Sequence, residues 1–150
     1  MAFTSGNYHL TDRDYESTNV GGVSYVDVDY AKNGTGVTAT FDAFVPVYNG
    51  EFIQVYGLEI LTAGTTNADL DVGILTAAGA AGDVDGFIDG ANVDGAAGTL
   101  ISAGGAYAVA GGYLNASGAT QYLAGTNLTA ANAAGKVRIF YEKKALPTAN

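Results

Sequence analysis

The sequence predicts an all-β fold, a sandwich or barrel of antiparallel strands, from two observations. Segments in which apolar and polar residues alternate with a period of two recur along the chain, and several are rich in β-branched or aromatic residues. Clusters of Gly, Asn and Asp separate these segments, whereas apolar residues at helical spacing are nearly absent. The length of 150 residues fits one core, so we expect a single domain with extensions.

The chain divides by composition into three parts. Residues 1–22 are polar and rich in turn-forming residues, which predicts an extended N-terminal arm with one short strand over residues 8–11. Arms of this kind are often ordered only by a neighbouring subunit. Residues 23–144 hold the alternating segments and form the predicted β-domain, and residues 145–150, which include Pro147, form a C-terminal tail.

The first two strands are predicted over residues 23–30 and 37–47. In the first, apolar residues alternate with Asp27 and Asp29, so one face is apolar and the other is acidic. In the second, Pro46 has no N–H donor, which places this part of the strand at an edge, a bulge or a strand end.

Two further strands are predicted over residues 51–61 and 68–75. The first is the most hydrophobic segment of the chain, and Gly57 marks a bulge within it. In the second, Asp69 and Asp71 alternate with apolar residues, so we expect both carboxylates to face solvent.

The second half of the chain is predicted to be less regular. Residues 76–98 are rich in Ala, Gly and Asp and indicate a long excursion with one helical turn. Shorter strands are predicted over residues 98–103, 106–114 and 121–123, and a closing strand over residues 136–142.

The composition favours contacts with protein over contacts with nucleic acid. Charged residues make up only 14% of the chain, against about 25% in a typical soluble domain. A weakly charged surface is desolvated at little cost, as in the centre of a protein interface. The net charge of −9 disfavours nucleic acid, because neutralising phosphates requires a basic surface.

The cations form a cluster near the C-terminus. Of the six Lys and Arg residues, four lie in this cluster: Lys136, Arg138, Lys143 and Lys144. We expect the cluster to dock on an acidic protein surface.

The sequence excludes several classes of enzyme. There is no Cys, so neither a thiolate metal site nor a Cys nucleophile exists, and the single histidine, His9, lies in the predicted arm. The G-x-S-x-G, H-E-x-x-H and G-x-x-x-x-G-K motifs are absent. A carboxylate pair such as Asp69 with Asp71 is the one catalytic arrangement that the composition permits. Because we expect both to be solvated, we predict that the protein is not an enzyme and uses no cofactor.

An Asp-rich segment is a candidate calcium site. Its carboxylates are Asp83, Asp85, Asp89 and Asp94, and Ca²⁺ prefers oxygen ligands of this kind. The spacing departs from the EF-hand pattern, because Gly86 is the fourth residue and an Asp takes the place of the closing Glu. Asp before Gly is also typical of turns and helix caps, and we favour that interpretation over a metal site.

Five tyrosines are candidate interface residues. They lie in surroundings rich in Gly, Ser and Thr, and they are Tyr8, Tyr15, Tyr107, Tyr113 and Tyr122. Tyr offers a large amphipathic area at a low cost in conformational entropy. Half-buried Tyr in a sheet is an equal alternative for these positions.

Four segments of the second half follow one another in a recognisable order. They are Ile60-Leu61-Thr62-Ala63-Gly64, Leu70-Asp71-Val72-Gly73-Ile74, Asp85-Gly86-Phe87-Ile88-Asp89-Gly90 and Gly135-Lys136-Val137-Arg138-Ile139-Phe140. In this pattern the chain resembles head-associated proteins of tailed bacteriophages. The resemblance leaves roughly the first third of the chain outside.

The resemblance implies an antiparallel β-sandwich or jelly-roll fold and a virion structural protein without catalytic residues. Such a decoration or cement protein sits on the capsid exterior, commonly as a homotrimer, and ties major capsid subunits together. Synthesis in the host cytoplasm is expected, since the sequence has no secretory leader pattern and no stretch of about 20 apolar residues. The alternatives are a receptor- or glycan-binding module of a phage fibre and a tail or neck component.

Overall fold

A computed structural model describes most of the predicted β-domain. The described parts of the chain are residues 23–29, 41–65, 67–76, 82–127 and 135–145. The predicted N-terminal arm, with Tyr8 and Tyr15, lies outside the described residues, as do residues 146–150 of the predicted tail.

The described residues form nine strands and one helical turn. The elements are β1 (Ser24–Asp29), β2 (Phe41–Val47), β3 (Glu51–Thr62), β4 (Asp69–Leu75), β5 (Ile88–Asn92), β6 (Leu100–Ser102), α1 (Ala106–Val109), β7 (Tyr113–Leu114), β8 (Gln121–Asn127) and β9 (Lys136–Ala145).

The strands form two antiparallel sheets that pack face to face. Sheet A has the order β1-β9-β3-β6, with β7 also paired to β3, and sheet B has the order β2-β8-β4-β5. β6 pairs with residues 57–59 and β7 with residues 52–53, so the two short strands are one interrupted strand along the same edge of β3. When β6 and β7 are counted as one strand, each sheet has four strands, and the two sheets together have the strand order of a jelly roll. The predicted antiparallel β-sandwich is confirmed.

The alternation of residue types explains which side of each strand faces the core. In β1, Val26 and Val28 are buried while Asp27 is partly exposed. In β9, Val137 and Ile139 are buried in the same way, whereas Lys136, Arg138 and Phe140 are partly exposed. Both strands therefore have the faces that their period-two patterns predict.

The core lies between the inner faces of the two sheets. Large side chains that are fully buried there include Tyr141, Phe87, Ile53, Leu58, Ile60, Leu70, Ile74, Leu123 and Ile139. Burying each one contributes roughly 1.5–3 kcal/mol to folding. The chain thus concentrates its large apolar side chains in one core although Ala and Gly are abundant.

Two predictions of local geometry are confirmed. Pro46 lies in β2, which is an edge strand of sheet B, where a missing N–H donor is tolerated. Gly57 lies at a bulge of β3, because the register with β9 shifts between Val55 and Gly57.

The second half departs from the predicted elements in two places. β5 lies within the predicted excursion and was missed because its buried residues, Ile88 and Ala91, are not spaced with a period of two. The strand predicted over residues 106–114 is wrong, since α1 takes its first part and β7 only its last two residues. Gly111 and Gly112, both with positive φ, separate these elements in a conformation that a strand does not adopt.

The outer face of sheet B is partly covered by the chain itself. Val72 and Ile74 of β4 belong to the core. Because side chains alternate along a strand, Gly73 and Leu75 face the outer side of sheet B. The backbone of Asp83 and Val84 passes so close to Gly73 that a Cβ at this position would collide with it. Leu75 and Ala124, which also lies outside the core cluster, are almost inaccessible.

Candidate interaction surface

The outer face of sheet A carries an open apolar hollow. It has a volume of about 390 Å³ and is lined by Val23, Tyr56, Gly57, Leu58, Leu100, Ile101, Ser102 and Phe140. These residues come from or adjoin β1, β9, β3 and β6, so the hollow crosses the sheet from one edge to the other.

The bulge in β3 creates the hollow. Gly57 pairs with Phe140 on one side and Ser102 on the other, and it has no side chain to fill the space between them. Tyr56 faces outward by alternation with the buried Val55, and 47% of it is exposed, while Leu100 on β6 is 72% exposed. A side chain at Gly57 would collide with the carbonyl of Ile101, so this position favours glycine.

The charges beside the hollow are paired within the sheet. The Arg138 guanidinium donates to both carboxylate oxygens of Asp27, at 2.7 and 3.0 Å, and it stacks on the ring of Tyr25 at 4.3 Å. The hydrogen bond to Asp27 raises the pKa of Arg138. On the same strand, Lys144 contacts Glu142 at 2.8 Å and thereby lowers the pKa of that carboxyl. A partner on this face therefore meets few unpaired charges.

Lys143 does not belong to an exposed basic cluster, which corrects the expectation from the sequence. It is only 4% exposed, and its ammonium donates to the Pro46 carbonyl at 2.7 Å and to the Glu51 carboxylate at 2.9 Å. The neighbouring positions Lys136, Arg138 and Lys144 alternate with buried residues and stay on the outer side. Strand alternation explains this separation, because Lys143 has the same parity as the core residues of β9.

Two of the candidate interface tyrosines pack mainly against the protein itself. The rings of Tyr107 and Tyr113 lie 4.7 Å apart, and Tyr107 meets Phe87 edge-on at 5.5 Å. The hydroxyl of Tyr113 donates to Gln121 at 2.7 Å. This aromatic group joins α1 and β7 to the start of β5, and both tyrosines are half-buried.

The remaining candidate tyrosine in the described part lies on sheet B. Tyr122 is half-buried in β8, where it is opposite Pro46 of β2 and Leu75 of β4. It therefore stands on the covered sheet and away from the hollow on sheet A.

Tyr107 lies close to the carboxylates of the acidic segment. Burial raises the pKa of Tyr107 to about 12, and the nearby charge of Asp83 contributes. The carboxyl of Asp83 shares a hydrogen bond with Asp85, which raises the pKa of Asp83. The hydrogen bond favours the protonated form of Asp83, and protonation reduces the repulsion between the two carboxyls.

The four carboxylates of the candidate calcium site lie before, within and after β5. Asp83 and Asp85 precede the strand and Asp89 is exposed within it, whereas Asp94 follows it and accepts a hydrogen bond from the backbone of Asn67 at 2.6 Å. Asp94 therefore serves a turn, which is the alternative that the sequence favoured. Within the described ranges, no three His, Cys, Asp or Glu side chains form a group that could hold a metal ion.

Asp71 is buried, contrary to the expectation that it faces solvent. It lies on the outer side of β4 as predicted, but it is only 6% exposed and accepts a hydrogen bond from the backbone of Gly90 at 2.7 Å. Burial raises its pKa, and the nearby charges of Asp85 and Asp89 raise it further. The adjacent strand β5, which the sequence pattern did not reveal, accounts for the difference.

The sequence reasoning missed the hollow on sheet A. One signal was present, because Phe140 takes a position on the outer side of β9 where the other residues are Lys, Arg and Glu. A second was Tyr56 beside a bulge glycine. Neither pattern shows that β6 lies beside them, since that pairing joins distant parts of the chain.

No family model, curated protein or solved structure matches the chain. The helical turn in the described part is far too short to cross a membrane, and no other helix there is long and apolar enough. The fold and the surface of sheet A therefore carry the functional argument.

Proposed function

We propose that the protein is a phage virion structural protein that decorates the capsid exterior and stabilises it by bridging major capsid subunits. The observation that carries the proposal is the open apolar hollow on the outer face of sheet A. The proposal also draws on the low fraction of charged residues and on the resemblance of the second half to phage head proteins.

The hollow has the properties of a protein interface. Exposed apolar patches with polar surroundings mark interaction sites on soluble proteins. Here Tyr56 and Leu100 supply exposed apolar area, while Arg138 and Glu142 beside them are already paired. Covering the patch removes apolar area from water without stranding a charge, which is the arrangement found in interface centres.

Bridging follows from the size of such contacts. A stable interface covers roughly 800 Å² on each partner, so one sandwich face is large enough to contact more than one capsid subunit when it lies over their junction. A decorated shell then loses a subunit only by giving up the contacts to the decoration protein as well. This raises the temperature at which the shell comes apart.

The proposal is tested with phage shells assembled without the protein. Purified protein is added, bound copies are counted after sedimentation, and the heat resistance of the shells is measured. Tyr56→Ser should weaken binding at least about tenfold, whereas Tyr48→Ser, at an equally exposed tyrosine outside the hollow, should leave binding unchanged. Shells that retain no wild-type protein and gain no heat resistance would contradict the proposal.

The fibre alternative rests on tyrosines and the acidic segment as a recognition surface. Since Tyr107 and Tyr113 pack against Phe87 and β8, they offer less free area than the hollow does. Binding to a glycan array, with no binding to shells, would favour this alternative.

A further inference from the structure

The chain enters the described β-domain at the border of the apolar hollow. Val23 is the first described residue, it lines the hollow, and 47% of it is exposed. β1 begins directly after it at Ser24 and is an edge strand of sheet A. The residues that precede Val23 are therefore tethered to the domain at one side of the hollow.

The whole hollow lies within reach of these tethered residues. It crosses sheet A from β1 to β6, which are three strand spacings apart, or about 14 Å. An extended chain spans about 3.3 Å for each residue, so about five residues cover that distance. Gly21 and Gly22 allow the change of direction that such a path requires, because glycine adopts positive φ without strain.

The residues just before Val23 have a composition that suits an apolar surface. Residues 17–22 contain no charged side chain. Val20 is the nearest large apolar residue before Val23, and Tyr15 is the next. Both side chains can remove apolar area of the hollow from water, which is the favourable term in such a contact.

The acidic groups beside the hollow already have cations as neighbours. Asp27 accepts two hydrogen bonds from Arg138, and Glu59 is opposite Arg138 in the register of β3 and β9. Glu142 contacts Lys144 at 2.8 Å. An uncharged segment can therefore cover the hollow without taking a cation away from any of the three carboxylates.

We propose that residues 15–22 fold back over the hollow of their own chain, with Val20 against Leu100, and shield it until another protein surface replaces them. A short tether gives such a segment an effective concentration of the order of millimolar, so a weak contact is enough to keep it in place. The inference rests on the proposed function only for the surface that replaces the segment, which is the capsid.

The other end of the described β-domain is placed less well to cover the hollow. The chain leaves β9 at Ala145, which is opposite Glu51 of β3. The hollow lies at Phe140, five residues and about 17 Å back along the strand. Val23 lines the hollow itself, and this position favours the N-terminal residues as its occupant.

The absence of Cys from the sequence allows a direct test in the full-length protein. Val20→Cys is combined with Leu100→Cys, and in a control protein with Val109→Cys, an exposed position on α1 outside the hollow. Each protein is equilibrated in a glutathione buffer at low protein concentration. A disulfide requires Cα atoms within about 7 Å, so the pair with Leu100→Cys should close at least about tenfold more readily than the control pair.

Mass spectrometry and non-reducing electrophoresis decide the outcome. A monomer with a closed disulfide in the Leu100→Cys protein, and far less in the control, supports the inference. Equal closure of both pairs overturns it, because a segment that does not dock reaches both positions. A disulfide-linked dimer as the main product overturns it in favour of a segment from a second copy.

A charge substitution provides a second measurement that keeps Leu100 intact. Val20→Asp should release the segment and raise the binding of an apolar fluorescent dye at least about twofold, because the exposed apolar patch becomes free. Thr11→Asp is the matched control, since it adds the same charge outside residues 15–22. Equal dye binding by the two variants would contradict the contact, and circular dichroism checks that both are folded.

Shell binding separates this inference from the proposed function. The closed disulfide should block binding to shells, and a reducing agent should restore it. Preferential closure in a protein that ignores shells in both states supports the intramolecular contact and contradicts the proposed function. Equal closure of both cysteine pairs in a protein that binds shells does the reverse.

Discussion

The outer faces of the two sheets meet their surroundings in different ways. On sheet A, Tyr56 and Phe140 border an open hollow, and the charged groups beside it are paired along the strands. On sheet B, Leu75 and Ala124 are almost inaccessible, and Asp71 is buried beside β5. Other parts of the same chain cover the outer face of sheet B, whereas the outer face of sheet A leaves apolar side chains exposed to solvent.

The difference arises from where the connections run. The segment before β5 crosses Gly73 on the outer side of sheet B. The corresponding insertion on sheet A, α1, lies at the edge beside β3 and leaves the face of β9 and β3 open. The contrast supports sheet A as the side on which a partner would lie.

The largest expected effect is at the junction between the sheets. Lys143 reaches from β9 to Pro46 of β2, and Lys143→Ala leaves the partly buried Glu51 without its cation. Removing one partner of a buried pair costs about 3–5 kcal/mol. We expect a loss of this size in urea unfolding, whereas Lys144→Ala, at the exposed neighbouring position, should change the midpoint little. Equal losses for the two lysines would refute the buried junction.

A smaller effect is expected where sheet B is covered. Gly73→Ala places a methyl group against the backbone of Asp83 and Val84, and forcing extra volume into packed surroundings costs about 1–3 kcal/mol. Gly104→Ala is the matched control, since a Cβ there meets nothing within 4 Å. Thermal unfolding of both variants checks the prediction, which fails if Gly73→Ala is as stable as the control.

The buried carboxyl of sheet B predicts a dependence of stability on pH. Burial raises the pKa of Asp71, so the folded protein holds this proton to a higher pH than the unfolded chain does. Stability from this group is complete below the unfolded pKa, near 4, and is lost as the pH rises through the folded pKa. Asp71→Asn should therefore stabilise the protein at pH 7 more than at pH 4. Equal melting shifts at both pH values would show that Asp71 is solvated.

The smallest expected effect is on the open face of sheet A. Arg138→Ala removes the pair with Asp27, which is partly exposed to solvent on both sides. Exposed pairs contribute about 0–1 kcal/mol, so we expect a loss of stability smaller than that of Lys143→Ala or Gly73→Ala. Chemical denaturation at low and high salt measures it, and a loss that exceeds that of Lys143→Ala would reverse the comparison between the two sheets.

The sequence predicted best the strands that have one buried face and one solvent-exposed face. In β1 and β9, alternation reports burial directly, and both strands have the predicted faces. β8 was predicted only over residues 121–123 and extends to Asn127, because Ala124 and Gly125 carry no alternation although they are buried. Where the sheet is covered on both sides, the period-two signal disappears.

The candidate site was less accessible to sequence reasoning. Alternation along β4 predicted that Asp71 faces the outer side of sheet B. Its burial depends on the neighbouring strand β5, which pairs with β4 through a bulge and has only two buried residues. The burial of Lys143 depends on Pro46, nearly a hundred residues away. The hollow depends on the pairing of Gly57 with Ser102. Tertiary contacts of this kind leave no local pattern.

Residues 33–135, which include β2 through β8, contain neither Lys nor Arg. A protease of trypsin specificity needs one of these residues, so the exposed turn at Gly50 and the exposed α1 offer it no cleavage site. Digestion can shorten the chain after Lys32 and after Lys136, but it leaves β2 through β8 as one uninterrupted fragment.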